Sequence, residues 1–205
     1  MKIFVIGFNK CATTTLHHLF LENNLNSQHS TKWNIEKYDC FSDNGNNHDF
    51  IYLDNTYPNS IFILNTRKLN KWIISRFDHC IRHNQSWGKP YSKELTIKWI
   101  ETRNNHYLKI LKYFENKPHK LIILSIEEDN WIEYISNILN FKKFNIQSHN
   151  IHSKCNEYKS IINCVNNTFK DINYNNEQKE IILLDNKELN DKYIKLYRNN
   201  LKIVN

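Results

Sequence analysis

The chain has 205 residues, 40% of them hydrophobic and 13% aromatic, which suits one packed domain and excludes a disordered chain. Three glycines and three prolines exclude collagen-like, linker-rich and Pro-rich recognition sequences. The formal net charge of +7 favours anionic partners, yet the Lys and Arg residues are scattered without a run of like charge, so a small anionic ligand is favoured over nucleic acid.

The first element is a strand: Ile3 to Ile6 is β-branched and aromatic and is bounded by Gly7. It is too short for a signal peptide, and no apolar stretch is long enough to span a membrane. A helix follows a short loop, starting near Thr13 or Thr14 and presenting Leu16, Leu19, Phe20 and Leu25. Residues 26–49 read as polar and irregular. Phe50 to Tyr57 has helical spacing and stops at Pro58. Ile61 to Asn65 is a second buried strand, followed by a helix from Leu69 to about Arg82 with Trp72, Ile73, Phe77 and Ile81 as its apolar face. Gly88-Lys89-Pro90 interrupts the pattern. Thr96 to Phe114 is a long helix with Ile97, Ile100, Tyr107, Leu108, Leu111 and Phe114 inward. Lys120 to Ile126 is a third strand and Trp131 to Leu139 a further helix. Two more helices are expected near 155–170 and 177–198.

Short strands apolar on both faces and alternating with helices predict an α/β domain with three layers, helices flanking a central parallel sheet. Residues 1–141 form its core and 142–205 a helical extension packed on the same domain. The five cysteines are odd in number and form no CxxC pair, which reads as reduced thiols in a cytoplasmic protein. The ten histidines show no helical HxxxH pair, so no metal site is expected; His149 and His152 near Cys155 read as loop residues.

Ligands of such sheets sit beyond the carboxyl ends of the strands. After the first strand runs Gly7-Phe8-Asn9-Lys10-Cys11-Ala12-Thr13-Thr14-Thr15. Strand, tight loop and helix start make an anion cradle from unpaired N–H groups and the positive end of the helix dipole, with Lys10 adding a full charge and the threonines further donors. Against the nucleoside-triphosphate pattern GxxxxGK[ST], Gly7 and Thr14 match the ends, Ala12 replaces the second Gly, and the lysine is displaced to Lys10. The second strand ends Asn65-Thr66-Arg67 with no Asp to help hold magnesium, so a metal-free nucleotide with a smaller anionic group at its 5′ end fits better than a magnesium triphosphate.

These residues resemble a family. Asn9 to Leu16 is similar to the PKSGTT-type loop of sulfotransferases that use 3′-phosphoadenosine 5′-phosphosulfate (PAPS), and Ile6 to His17 looks most like the branch opening GxNKTGTTSLH, with Ala12 replacing the usual Gly. The resemblance covers residues 1–140. It implies a P-loop sulfotransferase-like fold and a PAPS-dependent sulfotransferase, passing the sulfuryl group to a hydroxyl or amine of a small-molecule or carbohydrate acceptor. Asn9, Lys10, Cys11, Ala12, Thr13, Thr14 and Thr15 then hold the 5′ end of PAPS, and Arg67 with Ser75, eight residues on, its 3′-phosphate. Tyr38 to Asp43 looks like the family's YDAxSD segment. Lys10 is expected to stabilise the leaving group, with Asp43 first and His29 second as the general base and His17 as a helix-face residue. A nucleotide kinase on the same core and a nucleotide-binding relative without catalysis are the alternatives. The acceptor would be chosen by residues 26–49, 83–95 and the tail.

Overall fold

The computed structural model describes residues 1–142 and 153–172. Five parallel strands form one sheet in the order β2-β3-β1-β4-β5: β1 (Ile3–Val5), β2 (Ser27–His29), β3 (Cys40–Ser42), β4 (Ile61–Thr66) and β5 (Leu121–Ser125). The helices are α1 (Thr13–Glu22), α2 (Phe50–Thr56), α3 (Leu69–Arg82), α4 (Lys93–Phe114), α5 (Trp131–Ile138) and α6 (Tyr158–Asp171).

The two-residue period of the strands divides the core into two layers. Phe4, Phe41, Phe62, Leu64, Leu121 and Ile123 face one way, against Phe77, Ile100, Tyr107, Ile110 and Phe114 of α3 and α4. Ile3, Val5, Cys40, Ile63, Ile122 and Leu124 face the other, against Leu16, Leu19 and Phe20 of α1 and Ile135 of α5. The three-layer α/β arrangement expected from the sequence is therefore the fold. Phe4 anchors the first layer, its ring centroid 5.1 Å from that of Phe41 and 5.5 Å from that of Phe62.

Residues 26–49 depart from the irregular reading, because they contain β2 and β3. Each is three residues long, too short for a period to register, and Ser27-Gln28-His29 is polar throughout. These strands hydrogen-bond because β1 offers β3 an edge, pairing Ile3 with Cys40, and β3 in turn offers one to β2. Gly45 follows β3 at a point where an added Cβ would lie 1.9 Å from the Val5 carbonyl oxygen, so only glycine allows that approach.

The long helix α4 starts at Lys93, with the Ser92 hydroxyl accepting from the Leu95 N–H, rather than at Thr96. Its buried stripe also differs from the expected one: Trp99, Arg103, Asn104 and Ile110 are inward, while Ile97, Leu108 and Leu111 are only half-buried. The polar pair displaces the apolar phase because Arg103 has work inside, described below. α2 is started by Asp49, whose carboxylate accepts from the Ile51 and Tyr52 N–H groups, and Pro58 follows its end. Asp54 on α2 is buried and accepts from Lys117 (2.8 Å), Tyr113 (2.8 Å) and Lys120, tying α2 to the end of α4 and the approach to β5.

Of the expected C-terminal extension, α6 packs against α3 and α4. The helix expected near 177–198, with His149 and His152, lies outside the described residues. No helix among the described residues is long and apolar enough to cross a membrane.

Candidate functional site

Strand β1 lies between β3 and β4, so the chain runs from it toward one edge and then returns to its other side. Beyond the carboxyl ends of strands at such a reversal, the loops diverge and leave a crevice. A cavity of 440 Å³ opens here, lined among others by Lys10, Ala12, Thr14, Thr15, Arg67 and Ser75. The two groups of residues singled out from the sequence, separated by some fifty positions, thus share one cleft.

The loop after β1 owes its shape to Asn65, the fifth residue of β4. Its side-chain oxygen accepts the Gly7 N–H (3.0 Å), and its amide donates to the Cys11 carbonyl (2.7 Å) and the Phe8 carbonyl (3.4 Å). Asn65 is wholly buried, and a Cβ on Gly7 would meet its Oδ1 at 2.3 Å. The loop turns through two left-handed positions, Lys10 (φ 63°) and Ala12 (φ 60°). Left-handed residues flanked by ordinary ones direct successive N–H groups into a concave nest. No side chain caps α1, and its first turn holds no acidic residue. The N–H donors of that turn are therefore unopposed by a local carboxylate.

Asn9 faces away from the cavity. Its carbonyl accepts from the Trp72 indole N–H (3.0 Å) and its side-chain oxygen from Arg76 Nη1 (2.8 Å). The Arg76 guanidinium lies within 4.5–5.0 Å of the ring centroids of Trp72, Trp87 and Trp99. Burial lowers the Arg76 pKa to about 10, with Cys80 and Cys11 opposing. Cys11 is buried, and Thr13 is buried with its hydroxyl 3.2 Å from His29 Nε2. Of the seven loop residues named from the sequence, Lys10, Ala12, Thr14 and Thr15 line the cavity; Asn9, Cys11 and Thr13 support them from behind.

Lys10 Nζ lies 2.8 Å from His79 Nδ1 on α3. Burial lowers the Lys10 pKa, while Asp43 opposes that shift. Burial also pulls His79 down to about 4, with the Lys10 charge adding to the effect. At neutral pH the imidazole is therefore uncharged and accepts from the ammonium.

Arg67 leaves β4 at the other side of the cleft. Its Nη1 donates to the Lys10 carbonyl (3.2 Å), and its Nε faces Glu127 (3.4 Å), which also pairs with Lys71 (2.5 Å). The Arg67 carbonyl accepts from Nη2 of the fully buried Arg103 (3.1 Å), whose guanidinium lies 4.4 Å from the Tyr107 ring. Ser75 is two turns into α3 and half-buried in the same wall.

Asp43 and His29 do not line the cavity; His29 sits behind the threonines. Asp43 has a left-handed backbone (φ 74°) and follows β3 directly; its charge acts on both Lys10 and His29. His29 Nε2 lies 3.2 Å from the Thr13 hydroxyl and 3.3 Å from that of Thr14, which makes it a brace of the helix start. Burial lowers its pKa, with Asp43 opposing. His17 is bonded to Ser27 (2.8 Å) and is pulled to about 4 by burial and by His29.

Sequence reading did not find Asn65, Arg76, His79 or Arg103 as parts of this site. The available signal was on α3, where Ser75, His79 and Arg82 recur at helical spacing opposite the apolar Trp72–Ile73–Phe77 face. No family model matches the chain, and no curated protein matches it.

Proposed function

We propose that the protein is a sulfotransferase that moves the sulfuryl group of PAPS to a hydroxyl or amine acceptor. Its support is the convergence of the two cationic grips on one cavity: the Lys10 loop and the Arg67/Ser75 pair, hung from adjacent strands, can take the two phosphorylated ends of one adenosine nucleotide. The uncapped first turn of α1 and the Thr14 and Thr15 side chains suit the 5′-phosphate. The planar fork of Arg67 and the Ser75 hydroxyl suit the 3′-phosphate.

In this reading the acceptor oxygen or nitrogen attacks sulfur while the bond from sulfur to the bridging phosphate oxygen breaks, and adenosine 3′,5′-bisphosphate leaves. Lys10 stands at the leaving side and stabilises charge growing on that oxygen. The acceptor proton passes to a base, for which Asp43, whose charge acts on Lys10, is the first choice; it stands outside the cavity lining, so the proton reaches it through one intervening water, whereas His29 Nε2 is engaged with Thr13 and Thr14. Positioning supplies most of the remaining acceleration, as in phosphoryl transfer.

The test is calorimetric titration with adenosine 3′,5′-bisphosphate and with ATP, both without magnesium. The bisphosphate is expected to bind at least about tenfold more tightly, a difference of roughly 1.4 kcal/mol. Preference for ATP, with magnesium-dependent turnover, would replace the proposal with a nucleotide kinase.

A further inference from the structure

The grips described so far use only the first half of the polar face of α3. Ser75, His79 and Arg82 follow one another along that face, and Lys10 is level with His79. Arg82 lies seven residues beyond Ser75, about 10 Å along the helix at 1.5 Å per residue. Arg82 and His83 are therefore on the far side of Lys10 from the Arg67/Ser75 grip. In an in-line displacement with Lys10 at the leaving group, that far side is where the acceptor approaches.

That half of the cavity is cationic. Arg82 Nε pairs with Asp78 (3.0 Å), and its Nη1 lies 3.3 Å from His83 Nε2. The second oxygen of Asp78 accepts the Cys155 N–H (2.9 Å), so the same carboxylate that orients Arg82 fastens the segment before α6 to α3. This fastening brings Lys154 to the rim of the cavity. Lys154 is exposed, lies 4.7 Å from the Tyr158 ring, and pairs with no carboxylate among the described residues. Among the described residues the cavity's two carboxylates, Asp78 and Glu127, are both already committed to arginine.

Building on the donor assignment above, we infer that the acceptor itself carries an oxyanion, a carboxylate or a sulfate ester, seated by Arg82, His83 and Lys154. A neutral acceptor would leave the Lys154 ammonium without a counter-charge and the outer edge of the Arg82 fork, whose Nε alone meets Asp78, without an anionic acceptor beside the reacting group. An oxyanion meets both with charge-assisted hydrogen bonds. The segment before α6 is then part of the specificity surface rather than an appendage.

The experiment titrates the full chain, saturated with adenosine 3′,5′-bisphosphate, with glucuronate, glucose 6-sulfate and glucose. These probes share a ring and differ in carrying a carboxylate, a sulfate ester or no charge. At least one anionic sugar is expected to bind about tenfold or more above glucose, and the stronger of the two identifies the oxyanion. The double variant His83→Gln/Lys154→Glu, which leaves the Asp78–Arg82 pair intact, should erase that preference and leave bisphosphate affinity within about twofold. Equal binding of the three sugars, or a preference that survives the double variant, overturns the inference and leaves the donor reading standing. If the bisphosphate fails to bind while glucuronate still binds and depends on Lys154, the donor reading falls and the oxyanion seat remains.

Discussion

Lys10 on the β1 loop donates to His79 on α3 across 2.8 Å, joining two segments that are 69 residues apart in sequence. The imidazole holds the ammonium over the cavity without competing for it as a carboxylate would, because a neutral acceptor leaves the positive charge available to an incoming anion. Lys10→Ala should lower turnover with PAPS by about a hundredfold or more, the usual scale for losing a group that meets transition-state charge. Bisphosphate affinity should fall much less. Equal losses in kcat and in bisphosphate binding would make Lys10 a binding residue alone.

Two half-buried histidines make stability pH-dependent in a definite direction. His17 and His79 are both pulled to about 4, below the ordinary 6.5, first of all by burial. The unfolded chain then binds more protons than the folded one between those values, so stability is complete above pH 6.5 and declines as pH falls toward 4. After discounting for partial exposure, each histidine contributes on the order of 1 kcal/mol. Urea midpoints between pH 7.5 and 4.5 check this; a flat profile over that interval would contradict it. His79→Gln should flatten part of the slope.

Asn65→Ala removes one acceptor and two donors from buried backbone groups of Gly7, Phe8 and Cys11. Leaving such groups unpaired costs about 1–3 kcal/mol each, partly recovered by relaxation, so a loss of about 2–4 kcal/mol is expected in chemical denaturation. Bisphosphate binding should weaken as well, even though Asn65 is not among the residues lining the cavity.

Ala12 occupies a left-handed backbone at the start of α1, where a Cβ costs roughly 1–2 kcal/mol. Ala12→Gly relieves that strain but adds freedom to the unfolded chain, worth about 0.4–1 kcal/mol in the opposite direction. The net expectation is a small gain in stability with equal or tighter bisphosphate binding. A clear loss of stability would mean that the Ala12 methyl, nearly buried in the loop, contributes packing that outweighs its strain.

The two base candidates separate by substitution. Asp43→Asn should depress kcat by about a hundredfold while leaving the KM for PAPS within about twofold, consistent with loss of proton acceptance rather than of donor binding. His29→Gln, which removes a brace of Thr13 and Thr14, should act mainly on the KM for PAPS. The opposite split in steady-state kinetics would exchange the two roles.

The sheet was readable wherever a strand was a run of β-branched, aromatic or leucine residues. Ile3–Val5, Ile61–Thr66 and Leu121–Ser125 are continuous apolar or nearly apolar runs, and the loops after the first two carried the cationic residues in plain order. β1 is as short but wholly apolar; β2 and β3 escaped because Ser27-Gln28-His29 is polar and Cys40-Phe41-Ser42 carries a single large apolar residue, and because β2 is held by its neighbour's edge, a tertiary cause with no local trace. The phase of α4 was misjudged for a related reason. Arg103 is the kind of residue expected outside; the Arg67 carbonyl and the Trp72 ring, both remote in sequence, join the Tyr107 ring one helical turn away in holding it inside. Asn65 looked like an ordinary strand ending, since what it holds lies 54 to 58 positions earlier.

The Val5–Ile63 pairing gives the separation of the two grips its constancy. Both hang within a few residues of that rung, so a ladder of main-chain bonds, rather than any flexible connection, sets their spacing like a caliper locked at one opening. Substitutions at His83 and Lys154, on the cavity wall away from that rung, would redraw the rim of the crevice while leaving that opening unchanged. Variation in what the protein accepts can accumulate there without disturbing what it grips.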